Sequence, residues 1–310
     1  MKRSFFLIIT ILALTFFSKN ASAQYYFYNE NYYDQVVLFE VGASIGAMNC
    51  LTDLGGKAGI GKGFIKDLNS GKSYFSGGIY VNASYKNAIG LRLEFCNGKI
   101  SADDKVLSTV STSDIARFRY NRNLNFQSSI KEYSAMLEVH PMMLFIDWEA
   151  RDQEAPRYSP YLLGGIGSFS FNPQLKEGNR LIDLQPLATE GQGLKEYPDR
   201  PVYKLTQVNY PFGIGMKYEI SPLVNLRGEF VYRMLTTDYL DDVSTSYIDP
   251  TVYALNGFSG TRLENALYLN NRETNGQKTA PGGKRGSPTN NDAYFSFNLK
   301  IGVSLRQRMR

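Results

Sequence analysis

The sequence is poor in the residues from which catalytic and metal sites are most often built. Its 310 residues include one His, one Trp and two Cys. No CxxC pair and no Cys/His cluster occurs, which excludes a structural zinc site, and we expect neither a metal nor another cofactor. Cys50 and Cys96 could form one disulfide or remain as two thiols, and the sequence leaves both open.

Long apolar runs are also scarce, and the one that exists is at the N-terminus. Lys2 and Arg3 precede an apolar run over 5–17, and small residues follow at Ala21 and Ala23, so residues 1–23 are predicted to be a signal peptide. The run is too short for a membrane-spanning helix of ~20 residues. No later stretch reaches ~18 apolar residues, which excludes a transmembrane helix in the rest of the sequence.

Charge is modest and dispersed. The net charge is +5, and positive residues are dense only at Arg306, Arg308 and Arg310. No basic segment interleaved with aromatic residues is present, so no nucleic-acid partner is expected.

Aromatic residues and glycines are abundant, with 22 Tyr, 19 Phe and 28 Gly. Eight segments alternate apolar and polar residues with period two, which is typical of β-strands with two different faces. They cover 37–48, 77–85, 89–96, 131–144, 161–171, 208–220, 224–234 and 293–305. The fifth is the weakest, with Tyr161, Leu163 and Phe169 on its apolar face. At 8–14 residues these segments match a tilted membrane strand of ~9–11 better than a soluble strand of ~5–6.

The connections between these segments alternate in length. The long ones cover 49–75, 97–130, 172–207 and 235–292, and the short ones cover 86–88, 145–160 and 221–223. Long extracellular loops and short periplasmic turns are typical of outer-membrane barrels. We therefore predict an all-β fold over 36–310, an eight-stranded antiparallel transmembrane β-barrel of the OmpA-like type in a bacterial outer membrane, in contact with outer-membrane lipids. The Tyr-rich segment 24–35 would be periplasmic and either brace the lower rim or contact a partner.

The polar faces of the predicted strands carry both signs of charge. An eight-stranded barrel is only wide enough for side chains to fill it, so these residues would face a narrow lumen. There they would either pair and plug the barrel or line a polar conduit. The set comprises Glu40, Arg92, Glu94, Glu132, Glu138, Lys217, Glu219, Arg227, Glu229, Arg233 and Lys300.

No segment carries an enzymatic signature. His140 is the only histidine; it follows the fourth alternating segment, where we expect it at the periplasmic rim. No GxSxG motif is present to supply a hydrolase nucleophile, and the glycines at 59–63 lack the Ser/Thr of a phosphate loop. We therefore expect no enzymatic activity and interpret the glycine segment as an outer loop.

The last long connection is acidic at its start. Asp238, Asp241, Asp242 and Asp249 lie within twelve residues. Their oxygens could bind Ca²⁺, although the spacing is not that of an EF-hand, or they could pair with Arg and Lys of the same loop.

The chain resembles the PorG-like outer-membrane proteins of the type IX secretion system. The resemblance rests on Val41-Gly42, on the run 237–244 (TDYLDDVS), on Arg285-Gly286 and on 291–295 (NDAYF). It implies an integral outer-membrane barrel without enzymatic activity that anchors or contacts a periplasmic ring made of a lipoprotein and its partner. The motif residues would then be structural or partner-facing; they are Asp238, Tyr239, Asp241, Asp242, Arg285, Gly286 and Asp292. The alternative is a general OmpA-like or small porin-like envelope barrel without a secretion role.

Overall fold

The computed structural model describes residues 36–57, 73–145, 156–221, 223–276 and 278–305. The predicted signal peptide and Tyr-rich segment, the glycine segment at 59–63 and the C-terminal arginines lie outside these residues.

Eight antiparallel strands close into a barrel. They follow one another around the wall in chain order, and the first pairs with the last, Phe39 opposite Leu305 through Leu51 opposite Ala293. The barrel strands are β1 (Val37–Leu51), β2 (Tyr74–Tyr85), β3 (Ile89–Asp103), β4 (Asn125–Val139), β5 (Tyr158–Ser170), β8 (Thr206–Glu219), β9 (Val224–Leu235) and β10 (Ala293–Leu305). A hairpin of β6 (Gln174–Glu177) and β7 (Arg180–Asp183) joins the sheet at one pair, Gln127 with Gln174. The predicted eight-stranded barrel is confirmed.

The outer wall of the barrel is apolar along its whole height. Alternate residues of β8 from Val208 to Tyr218 leave 40–59 % of their surface exposed, and alternate residues of β10 from Phe297 to Leu305 leave 43–59 %. A continuous apolar belt of this size is unfavourable in water and is the lipid-facing surface of a transmembrane barrel. The barrel sits in a bacterial outer membrane. None of the helices in the described residues is long and apolar enough to cross a bilayer.

Two predicted strands differ from the structure in instructive ways. The fourth was predicted to reach residue 144, but β4 ends at Val139 and a short helix, Pro141–Leu144, follows. Pro141 lacks the backbone N–H that a continuing strand would need, and it suits the first turn of a helix. In β5 the face carrying Tyr161, Leu163 and Phe169 is buried in the lumen, while Leu162 and Ile166 meet the lipid.

The long connections fold together over one end of the barrel. We call this body the cap; it comprises residues 52–57, 104–124, 171–205 and 236–292. It contains the β6–β7 hairpin and the helices Arg117–Arg122, Thr251–Leu255 and Gly260–Asn270. Buried apolar residues from all four segments, among them Leu54, Leu124, Tyr203 and Leu240, form one core that continues into the top of the barrel. Long barrel loops are extracellular, so the cap covers the extracellular mouth.

The two cysteines are free and buried. Cys50 lies on β1 and Cys96 on β3, with β2 between them, and both side chains point away from lipid. Of the two alternatives left open by the sequence, the structure shows two thiols.

Candidate functional site

All eleven charged residues predicted for the polar faces point into the lumen. None of them exposes more than 6 % of its surface. The cause is local, because successive side chains of a strand point to opposite faces, so one face of each strand is committed to lipid and the other to the interior. Six strands contribute: β1, β3, β4, β8, β9 and β10.

Arg92 on β3 is at the centre of the network. Its Nη1 lies 3.1 Å from Glu94 Oε2 and 2.7 Å from Glu229 Oε2, and its Nη2 contacts Glu138 Oε1. Glu229 is on β9, on the opposite side of the barrel wall. The Arg92–Glu229 pair therefore crosses the full width of the lumen.

Arg227 forms a second crossing. Its Nη1 lies 2.9 Å from Glu138 Oε2 and its Nη2 2.8 Å from Glu40 Oε2, which joins β9 to β4 and β1. Glu138 is thus shared by the two central arginines. Contacts of this kind provide hydrogen-bond acceptors for the several N–H groups of a buried guanidinium.

The remaining charges extend the network toward both ends. Lys300 Nζ lies 2.9 Å from Glu229 Oε1 and also contacts Glu94. Arg233 Nε lies 3.0 Å from Glu132 Oε2 near the cap. Lys217 stands more loosely at 3.9 Å from Glu40 and 3.6 Å from Glu219.

Tyrosines complete the network, and sequence reasoning did not single them out. Tyr80 donates to Glu40 Oε1 at 2.6 Å, Tyr161 to Glu229 Oε2 at 2.7 Å, and Tyr294 to Glu132 Oε2 at 3.1 Å. Tyr80 lies on the predicted polar face of its strand, a signal that could have placed it. Tyr161 gave no such signal, because its neighbours in the fifth segment alternate too weakly to define a face.

His140 follows β4 at the periplasmic end, where the sequence predicted it, and its backbone N–H donates to Ala88 O of the 86–88 turn at 2.8 Å. Its ring is buried, with Nδ1 2.9 Å from Ser159 Oγ and Nε2 3.5 Å from Glu138 Oε2. A serine, a histidine and a carboxylate in this order are reminiscent of a hydrolase triad. Ser159 is only 2 % exposed, however, so the hydroxyl is closed to any substrate in this conformation.

The lumen is thus filled by paired side chains from all eight strands. Glutamates, arginines, lysines and tyrosines meet across its section, and the cap closes the extracellular mouth. Chemically, this arrangement can hold the wall rigid and exclude solutes. Of the two interpretations of the eleven charged residues, the arrangement favours a plugged barrel over a polar conduit.

The residues on which the PorG-like resemblance rests come together inside the cap. Arg285 Nη1 lies 2.9 Å from Glu190 Oε1 and donates to the backbone oxygen of Asp242 at 2.9 Å. The Asp242 carboxylate accepts from Thr189 Oγ1 at 2.5 Å and from the Tyr203 hydroxyl at 2.7 Å. These contacts tie the segment 171–205 to the segment 236–292.

Gly286 lies where separate segments of the cap come into close contact. A Cβ there would be 2.7 Å from the backbone of Ser244 and 2.8 Å from Asp53 Oδ2. Only glycine leaves room for this approach. Tyr239 is half-buried and stacks on Tyr203 at 4.9 Å between ring centroids. Of the seven motif residues Tyr239 is the only one not fully buried, so the motif is mostly inside the cap rather than on its surface.

Four aspartates form an acidic cluster at the junction of cap and barrel: Asp53, Asp238, Asp241 and Asp292. Burial raises the pKa of Asp238 to about 8, with Asp53 adding to the shift. Burial and then the neighbouring carboxyl groups hold the pKa values of Asp241 and Asp292 well above the usual range. Burial also raises the pKa of Asp242 to about 6, against the opposing effect of Arg285.

The expected pairing of the acidic run with Arg or Lys is not observed as an ion pair within the described residues, and Arg285 acts on Asp242 only through its backbone oxygen and by opposing the rise of its pKa. Arg285 makes its ion pair with Glu190 and Arg122 makes its own with Asp104, both outside the run. Asp241 instead accepts from the Val243 N–H through Oδ1, and Asp292 from the Leu240 N–H. Within the described residues, no three acidic, His or Cys side chains are grouped so that they could hold a metal ion.

A family model described as "Domain of unknown function (DUF6089)" matches residues 24–183, just over half of the chain. No curated protein matches the chain significantly.

Solved outer-membrane proteins are similar in structure but distant in sequence. Neisserial surface protein A has 10 % identity and a TM-score of 0.36, with 86 % of this chain and 97 % of that chain covered. A major outer membrane protein from Thermus thermophilus has 13 % identity and a TM-score of 0.36 over 87 % and 100 %. OprG from Pseudomonas aeruginosa has 10 % identity and a TM-score of 0.34 over 87 % and 96 %. Similarity at this level carries no information on ligands or partners.

Proposed function

Since the chain belongs to the DUF6089 family, whose description names no activity, we propose its function from its own geometry and from its resemblance to PorG-like proteins. It is a structural component of a type IX protein secretion system. It stays in the outer membrane through its apolar wall and anchors or contacts the periplasmic ring of a lipoprotein and its partner.

The observation that carries the proposal is the closed lumen. Arg92 and Arg227 bridge opposite walls through Glu229 and Glu138, so the barrel offers surfaces rather than a passage. A barrel whose lumen is closed by paired side chains is suited to act through what it holds in place. An anchoring role requires only a stable wall and a surface that meets a partner.

The periplasmic end offers such a surface. The short helix Pro141–Leu144 follows β4 on this side, and the next residue, Phe145, exposes 88 % of its surface. Leu144 and Met142 are 48 % and 37 % exposed beside it. Exposed apolar side chains beyond the end of a strand are suited to burial against a protein partner.

The proposal is tested by affinity purification of the tagged chain from detergent-solubilised outer membranes of a bacterium with a type IX system. We expect the ring lipoprotein and its partner to co-purify with the wild type. Phe145→Ser should reduce their recovery at least about tenfold, the equivalent of ~1.4 kcal/mol of binding. Phe118→Ser is the matched control, because Phe118 is 74 % exposed on the opposite, capped end.

The alternative is a general envelope barrel without a secretion role. This alternative is supported by the apolar wall and the filled lumen, because residues of this chain form both without a contribution from a partner. If no ring component is recovered with a wild-type chain that is folded and in the outer membrane, the secretion role is refuted and this alternative stands. Equal losses for Phe145→Ser and Phe118→Ser would refute the assignment of the periplasmic surface.

A further inference from the structure

A hollow interrupts the lipid-facing wall between β2, β3, β4, β5 and β8. Its volume is about 670 Å³, and its lining is almost entirely apolar. Ala135 lies at its centre, paired with Leu93 on one side and Ile166 on the other. The short side chain of Ala135 between two long ones makes the depression. Its volume lies within the range of ~300–1,000 Å³ that is usual for ligand pockets.

Two aromatic rings border the hollow on the side nearer the cap. Phe95 and Tyr133 are paired across β3 and β4, and their ring centroids are 4.9 Å apart. Tyr133 is 66 % exposed on the lipid side. Aromatic side chains of this kind mark the border between hydrocarbon and headgroups. The hollow therefore lies in the hydrocarbon of the outer leaflet, directly below its headgroups.

Two lysines stand immediately beyond these rings. Lys131 comes two residues before Tyr133 on β4, and Lys99 comes four residues after Phe95 on β3, so both point outward from the wall. Lys99 pairs with Ser129 and Asn97 with Lys131, which makes the two lysines diagonal neighbours on one face. Diagonal Cβ atoms are roughly 7–8 Å apart, close enough for both ammonium groups to reach one anion. The ammonium group of Lys99 lies over the ring of Tyr74 in a cation–π contact, with Nζ 5.5 Å from the ring centroid.

The carboxylates of the same strands do not neutralise these lysines. Glu94, Glu132 and Glu138 face the lumen, where they pair with Lys300, Arg233 and Arg227. The remaining carboxylate of these strands, Asp103, ends β3 four residues beyond Lys99. The lipid side thus presents two cations above an apolar hollow. Positive charge over an acyl-sized groove complements a lipid with an anionic headgroup.

We propose that this wall binds one phosphorylated lipid of the outer leaflet. Its phosphate lies between Lys99 and Lys131, and an acyl chain of the same molecule fills the hollow over Ala135. The site is distinct from the proposed periplasmic contact and does not depend on it.

The test uses the full chain in nanodiscs of phosphatidylcholine that contain either diphosphoryl lipid A or its dephosphorylated form. Native mass spectrometry counts the lipid A retained. We expect one diphosphoryl molecule per wild-type chain and at least about tenfold less of the dephosphorylated form. Lys99→Gln/Lys131→Gln should reduce retention of the diphosphoryl form by a similar factor, and Ala135→Phe should reduce it by filling the hollow.

Lys86→Gln/Lys176→Gln is the matched control. Lys86 has the same relation to a ring, with Nζ 5.9 Å from the Tyr85 centroid, but lies at the periplasmic turn. Lys176 is exposed on the cap hairpin. Folding of each variant is checked by the electrophoretic shift between unheated and heated samples.

Several results would overturn the proposal. The first is equal retention by wild type and the Lys99/Lys131 variant, and the second is an equal loss in the control. The third is retention of the dephosphorylated form as good as that of the diphosphoryl form. Displacement of lipid A by millimolar inorganic phosphate, or unchanged retention by Ala135→Phe, would show that the hollow takes no acyl chain and refute the lipid as ligand.

Discussion

Each central arginine of the lumen contacts more than one carboxylate, and this decides how the site responds to mutation. Arg92 contacts Glu94, Glu138 and Glu229, and Arg227 contacts Glu40 and Glu138. A buried charge without a partner is far less favourable than a buried pair. Removing one arginine therefore leaves several carboxylates with one cation fewer, and the remaining charges of the network are no longer balanced.

We expect Arg227→Met to lower the free energy of unfolding by ~3–5 kcal/mol, the usual effect of removing one partner of a buried pair. Met keeps most of the volume and loses the charge, so Glu40 keeps only the distant Lys217 as a cation and Glu138 keeps only Arg92. Urea titration in lipid vesicles, followed by the electrophoretic shift of the folded barrel, measures the change. Lys195→Met, at an exposed cap residue, should change stability by less than ~0.5 kcal/mol. A similar small change for Arg227→Met would refute the network.

The acidic cluster makes the stability of the cap depend on pH. The pKa of Asp238 is raised to about 8 in the fold, against ~3.9 in an unfolded chain, so the folded state holds a proton that the unfolded state releases. Its stabilising contribution is complete below pH ~4, declines as pH rises and is lost above pH ~8. Asp241 and Asp292, raised well above their usual range, act in the same direction.

Asp238→Asn should therefore flatten the pH dependence of cap stability and make the cap more resistant than wild type at pH 9. Limited proteolysis of the chain in vesicles at pH 5, 7 and 9 measures this. Asp199→Asn, at an exposed position of the cap, is the control and should follow the wild-type profile. A wild-type cap that becomes more resistant as pH rises would contradict the sign.

At the scale of the strands, the decisive feature is which face meets hydrocarbon. Leu299 lies at the middle of β10 and is 59 % exposed. Its partners on the two adjacent strands, Ile45 on β1 and Gly228 on β9, also face outward. This row is at the centre of the apolar belt, so a charge there has no water to solvate it.

Leu299→Lys should cost ~2–4 kcal/mol, as expected for a lysine at the bilayer midplane. The measurement is the fraction of denatured chain that folds into vesicles and its urea midpoint. Leu255→Lys is the control, because Leu255 is 76 % exposed at the end of a cap helix, in water. Equal effects of the two substitutions would show that the barrel wall does not touch lipid.

At the scale of the whole molecule, the filled lumen and the cap together close the barrel. Arg233, Glu132 and Tyr294 lie near the cap, and Lys217 and Glu219 lie nearer the periplasmic end. Paired side chains thus occupy several levels of the lumen. A solute would have to displace ion pairs at each of them.

We expect the purified chain to give no steady conductance in planar bilayers. The measurement uses 1 M KCl at neutral pH, with a known small porin in the same bilayers as the positive control. Steady single-channel steps from the folded chain would contradict the plug and favour a porin-like envelope barrel.

The period-two alternation determined the barrel almost completely, because the pleat sends successive side chains to opposite faces and lipid accepts only one kind. It placed all eight strands, the outward residues of seven of them and the inward faces that carry the eleven charges. It failed for β5, where Tyr161 and Leu163 face inward among glycines, and at Pro141, where local backbone chemistry overrides the pattern.

Only the tertiary structure decided which charges meet and how the loops fold. Arg92 finds Glu229 because β3 and β9 lie opposite in the closed barrel, a relation that no sequence spacing encodes. Asp53 approaches Asp241 and Asp292 only once the first and the last of the long connections pack together in the cap. Alternation is a local property of the chain, whereas ion pairing across the lumen depends on closure of the barrel and proton binding in the cap depends on packing of the loops.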